Sequence, residues 1–394
     1  MLKRSLLFSL LLSSTALACK VPVFRFALER WQADKYRMKV VFDKELPSKE
    51  KTKLEKLAEI TSNPASPLNL NIETHDVSTL TEAQQWSLRG LDKVESLPSF
   101  IVEAPKAMRQ QNPLFIKPLS DENLASLSTS PVREQIVKHI LSGESAVWVL
   151  LLSGDQEKDQ KTREALQEGI ALAEQNLKIS EGVIDPDKIE EAEAKGEIDY
   201  EDVLRSKIPL KISFTIVELS QDDQAETEFI KMITSGMPKE AYAGQNVVAP
   251  IFGRGRCLGP MRGSSLTPQA VLESCEKMCG ECECSVKSEN PGYDIILSAE
   301  WDKHVDVAPI VSDKVIPDLT GAGDFIDAPS EASNPDKSTT SNESKKSSEN
   351  DTDSTSNDST LETYTIPGGS LTIAVVGLLA IVGVGSFFVM RRSD

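Results

Sequence analysis

An α/β chain built from two successive units, followed by a polar stalk and a single apolar span, is what the sequence predicts. Short β-branched runs alternate with segments whose apolar residues recur at helical spacing, and the same order of elements starts again at Ala146. The composition then changes twice: residues 321–370 are poor in apolar side chains, and residues 371–390 carry no charge. At 394 residues the chain exceeds one ordinary domain. Its formal charge of −18 repels phosphate backbones, which argues against nucleic-acid binding. Six cysteines are too few to build a disulfide scaffold of this length, so the core has to come from packing.

The ends specify location. Residues 1–18 carry Lys3 and Arg4, an apolar middle, and small residues at Ala16 and Ala18, the pattern of a secretory signal peptide. Cys19 follows directly, so it is open either to disulfide formation or to lipidation. Residues 321–370 hold ten acidic residues against Lys337, Lys345 and Lys346 and read as a disordered stalk. The twenty residues from Leu371 to Met390 are long enough to span about 30 Å of hydrocarbon as a transmembrane helix. Arg391 and Arg392 then place residues 391–394 in the cytoplasm and everything upstream outside it.

After an N-terminal segment at 19–36, the first unit covers 37–143. Residues 38–42 form a β-rich run, and 49–60 are helical, with Leu54, Leu57 and Ile60 on one stripe. Residues 68–77 alternate as a strand, 81–88 make a short helix, and 99–102 and 113–116 are partner strands. Helices at 121–127 and 131–141 close the unit. The second unit, 144–320, opens on the continuous apolar run 147–152, the mark of a buried strand. Leu166, Ile170, Ala173 and Leu177 line the next helix, and an acidic insertion at 180–207 reads as a solvated excursion. A strand at 210–219, a helix at 225–233, a strand at 247–252, a glycine turn and a final helix at 268–278 complete the repeat.

Pro98 and Pro250 each stand two residues before a phenylalanine, Phe100 and Phe252, at the start of the penultimate strand pair. In this element order the chain resembles tandem thioredoxin-like domains over residues 37–285. The resemblance implies that Pro98 and Pro250 are cis-proline contact positions where extended peptides are received. Separately, the opening Cys19-Lys20-Val21-Pro22-Val23-Phe24-Arg25-Phe26-Ala27-Leu28-Glu29-Arg30-Trp31 resembles a group of uncharacterised bacterial cell-envelope proteins, a likeness that implies no activity. The apolar and aromatic residues of this segment are expected to pack on the first unit.

A thioredoxin-type oxidoreductase needs Cys-X-X-Cys at the start of its first helix, where the helix N-terminus stabilises the thiolate. The corresponding loops, 43–47 and 153–156, contain no cysteine and several acids, so the dithiol chemistry is absent. The cysteines gather instead at Cys275, Cys279, Cys282 and Cys284, with Cys257 on the preceding hairpin. Two chemistries suit them. Outside the cytoplasm such thiols form disulfides, and four thiolates also fit Zn²⁺ or Cu(I). His75, His139 and His304 have no paired metal-ligand spacing. Gly253-Arg254-Gly255-Arg256 reads as a hairpin turn whose arginines, Arg254 and Arg256, face an anion or a partner. The expected function is therefore a membrane-anchored, non-catalytic binding or structural module without a cofactor, whose partner is another envelope protein or an extended peptide. The alternative is thiol–disulfide exchange or Zn/Cu handling by the Cys275–Cys284 cluster.

Overall fold

Strand β1 (Cys19–Pro22) and helix α1 (Val23–Glu29) precede the first sheet. The computed structural model describes residues 19–62, 68–196, 198–282 and 287–305. All of them belong to the compact unit Met1–Lys314, and the second unit, Val315–Asp394, lies outside them. The expected leader, stalk and apolar span, and Cys284, also fall outside the described residues. Among those residues no helix is long and apolar enough to cross a membrane.

The first sheet contains β2 (Tyr36–Phe42), β3 (Leu70–Asp76), β4 (Ser99–Glu103) and β5 (Phe115–Pro118) in the order β3-β2-β4-β5. β2 runs parallel to β3 and antiparallel to β4, and β4 is antiparallel to β5. The parallel pair needs a crossover, supplied by α2 (Ser48–Ser62). Strand alternation turns Tyr36, Met38 and Val40 into the core, where they join Leu54 of α2. Arg37 and Lys39, on the other face, both pair with Glu103, at 2.6 and 2.8 Å. Of the expected α2 stripe only Leu54 is buried, and Ile60 is 47% exposed. Helix α3 (Glu82–Ser87) starts on a capping box formed by Thr81 and Gln84. α4 (Asp121–Ser128) and α5 (Pro131–Leu141) follow β5.

The second sheet repeats this order. β6 (Ala146–Leu152), β7 (Phe214–Ser220), β8 (Val247–Phe252) and β9 (Arg256–Cys257) run β7-β6-β8-β9, with β6 parallel to β7 and antiparallel to β8. Between them lie α6 (Gln156–Asn176), α7 (Ile189–Lys195), α8 (Thr227–Ile233) and α9 (Lys239–Tyr242). The short β10 (Met261–Arg262) returns to β8, and α10 (Pro268–Cys279) packs on α6. Then come β11 (Glu281–Cys282), paired with β1, and β12 (Tyr293–Asp294), paired with β9. β6 is buried on both faces, as its unbroken apolar run requires. Val147, Val149 and Leu151 join the core cluster that contains the first sheet, whereas Ala146, Trp148 and Leu150 join a second cluster beneath α6 and α10.

Two expectations change here. Val21, Val23, Phe24, Phe26 and Trp31 pack against Trp148, Phe252 and α10 on the second sheet rather than on the first unit, while Leu28 joins the core that contains the first sheet. The acidic insertion is also more than a solvated excursion, because Val203 and Leu204 are buried. The α1 side chains bind it: Arg30 donates to the Glu201 and Val203 carbonyls, both at 2.7 Å. Arg25 donates to Ile208 O at 2.5 Å and pairs at 2.7 Å with Glu29, which in turn accepts from Arg205 N–H and Ser206 Oγ.

Candidate functional site

β2 and β3 end together at Phe42 and Asp76, and β4 starts opposite Val41. Loop 43–47, the turn leading to α3 and the Leu97–Pro98 peptide therefore emerge at one end of the first sheet. Leu97–Pro98 is the cis peptide among the described residues. Below this end, Val41, Ile101 and Leu88 form a small core of their own. Trp86, two residues before Leu88, is 80% exposed, and Leu97, next to Pro98, is 41% exposed. Sequence reasoning singled out Pro98 but not Trp86. The signal lay in the period of α3, where only the small Ala83 shares a face with the indole, so there is no large apolar stripe to bury it.

The equivalent end of the second sheet differs. Ala249–Pro250 is not cis, which corrects the expectation for Pro250: it lies inside β8, opposite Trp148. Its carbonyl accepts from Leu258 N–H at 3.3 Å, and its missing N–H falls on that same edge, between the β9 and β10 pairings, where no bond is required. Nearby, Asp155 caps α6 by accepting from the Glu157 and Lys158 N–H groups. Asp159 accepts from Ser153 N–H and Oγ, both at 2.8 Å, and from Asn246 Nδ2 at 2.6 Å. Burial pulls its pKa upward, but these hydrogen bonds outweigh burial and hold the carboxyl below its ordinary value.

The described cysteines do not converge as a group. Cys257 pairs across the hairpin with Ile251 and shares its face, in the core common to both sheets. Cys275 and Cys279 lie on the opposite face, in the second cluster. Burial pushes the Cys257 thiol up to about 11 and Cys279 to about 12, and raises Cys275 further. Such thiols are neutral at physiological pH and are poor nucleophiles or metal ligands. Among the described residues no three His, Cys, Asp or Glu side chains group as metal ligands. Cys19 is half-buried and free, its thiol donating to Glu201 O at 3.1 Å.

The two arginines of the hairpin are not available to an external anion. Arg254 is buried and donates to Leu28 O at 2.7 Å. Arg256, also buried, donates to Asn290 O at 2.7 Å, approaches Asp294 at 3.5 Å and lies over the Trp31 ring. Gly253 takes a φ of +57°, and a Cβ there would meet Ala27 Cβ at 2.8 Å, so the turn residue also admits α1. Both arginines thus anchor the N-terminal segment and the 287–294 stretch to the second sheet. No family model matches the sequence, and no curated protein or solved structure is significantly similar to it.

Proposed function

We propose that the chain is a non-catalytic binding or structural module, displayed outside the cytoplasm on its polar stalk and anchored through residues 371–390. We read its two sheets as tandem thioredoxin-like units. In favour of this reading, each has a parallel βαβ pair followed by an antiparallel pair, in the same strand order. The carrying observation is exposed apolar side chain on the elements that flank Pro98: Trp86 of α3 and Leu97, which precedes Pro98, are both exposed, and loop 43–47 holds no thiol. An exposed tryptophan is a common anchor of a protein or peptide contact. The partner class is another envelope protein or an extended peptide.

The test uses the full chain in its native membrane, with a photoreactive side chain at Glu95. A discrete adduct is expected, weakened about tenfold or more by Trp86→Ala and by Leu97→Ser, neither of which should shift thermal unfolding. Adduct yields unaffected by both substitutions would overturn the docking reading. Turnover of a peptide disulfide by the purified chain would overturn its non-catalytic character and favour thiol exchange.

A further inference from the structure

The pairing of β1 with β11 makes Cys19 and Cys282 Cα partners and Pro22 and Glu281 a second pair, with the register shifting at a bulge between the two pairs. Residues directly opposed across an antiparallel pair have Cα atoms about 4.5–5.5 Å apart, inside the roughly 4.4–6.8 Å range that a disulfide bridges. The bulged pairing is held from several sides. Val23 N–H donates to Gly280 O at 3.0 Å, Lys20 pairs with Glu281 at 3.0 Å, and Ser180 Oγ donates to Glu281 at 2.8 Å. Cys19 and Cys282 are thus brought together by long-range pairing, across a separation of more than 250 residues.

We infer that Cys19 and Cys282 are a matched cross-strand pair that oxidises to a disulfide. The oxidant is a low-molecular-weight or protein disulfide. The Cys19 thiolate attacks one of its sulfurs and expels a thiolate, leaving a mixed disulfide on Cys19. The Cys282 thiolate then attacks the Cys19 sulfur, forming the Cys19–Cys282 bond and expelling the second thiolate. Two cysteine thiols lose two electrons and two protons, and the oxidant becomes two thiols. The bridge ties the segment that covers Trp148 to the chain leaving α10. Burial raises the Cys19 thiol, which makes it a poor leaving group and the bridge slow to reduce. It also excludes a thioether-linked lipid on Cys19, because one sulfur cannot carry both.

Only the source of oxidant in the cell rests on the extracytoplasmic placement proposed above. The full chain is purified in detergent, reduced, equilibrated with glutathione disulfide, blocked with iodoacetamide and digested with trypsin without reduction. The expected product joins the fragment ending at Lys20 to the fragment running from Met278 to Lys287 and is two hydrogens lighter than their sum. It should persist in Cys284→Ser and vanish in Cys282→Ser. An alkylated, glutathionylated or lipidated Cys19 in the unsubstituted chain would overturn the pairing, as would a link that survives Cys282→Ser. The same map is made on acid-quenched chain taken directly from cells. A bridge already present there supports both pairing and placement, and one that forms only with glutathione supports the pairing and overturns the placement.

Discussion

Asp159 shows how one buried carboxylate organises the start of α6. It ties the Ser153 turn to Asn246, and its pKa lies below that of an unfolded aspartate, about 3.9. The stabilisation is therefore complete above that value and is lost as pH falls through the folded-state value. Asp159→Asn should cost about 1–3 kcal/mol at pH 7, with the gap closing below about pH 4. Urea midpoints from pH 3 to 7 test this, and a gap independent of pH would refute it. The buried thiols have the opposite sign. Cys257, Cys275 and Cys279 stay protonated when folded but ionise near 8.5 when unfolded, so stability falls as pH rises above that value. Each contributes about 1.4 kcal/mol per pH unit to that loss, until its folded value is reached. In the native chain at pH 7.5 all three should resist iodoacetamide and react only after denaturation. Rapid native alkylation of any one would show that its burial is transient.

At the scale of elements, packing overrides propensity between α6 and α10. Glycine in a helix interior is ordinarily about 1 kcal/mol worse than alanine. Yet a Cβ on Gly169 would lie 2.4 Å from Val271 Cβ and 2.7 Å from Pro268 O, closer than real contacts allow. Gly169→Ala should therefore destabilise by about 1–3 kcal/mol, the cost of overpacking, where propensity alone predicts a gain. Chemical denaturation decides the sign. α1 depends on a buried ion pair in the same way. Glu29→Leu leaves the Arg25 guanidinium without its carboxylate and should cost about 3–5 kcal/mol, whereas adding Arg25→Met should recover most of the loss. If the double substitution is as damaging as the single one, the pair itself stabilises α1. The sequence showed α6 clearly, because Leu166, Ile170 and Ala173 repeat at helical spacing. It did not show where α1 lands. Local pattern marked the apolar and aromatic side chains of this segment for packing, but the partners of α1, Trp148, Phe252 and Ser206, lie more than a hundred residues away. Cysteine spacing was legible in the same partial sense: the face that Cys257 occupies is fixed by its hairpin register with Ile251.

Across the whole 19–305 region, the element order of two repeats was legible, but their fusion was not. One continuous core holds Met38, Val40, Phe100 and Val102 of the first sheet together with Val147, Val149, Val217 and Ile251 of the second. Ile136 and Ile140 of α5 and the stretch Ile295-Ile296-Leu297 belong to the same core. Those last residues follow β12 with no periodicity to mark them, so nothing local revealed their role. Polar contacts cross the same boundary: Tyr36 Oη donates to Asp294 O at 3.0 Å, Gln110 to Ser235 Oγ at 2.9 Å, and Ser130 Oγ to Glu226 at 2.5 Å. Lys117 of β5 pairs with the buried Glu228 of α8. Opening one sheet alone would expose apolar area on the other and leave Glu226 and Glu228 without partners, at about 1–3 kcal/mol for each stranded group. The two sheets should therefore unfold together. Native-state hydrogen exchange on the full chain tests this through the amides of Phe100 and Val102 against those of Trp148 and Leu150, which should converge on one opening free energy with one denaturant dependence. Two separate values would mean that the repeats open independently and that the shared core contributes little to their cooperativity.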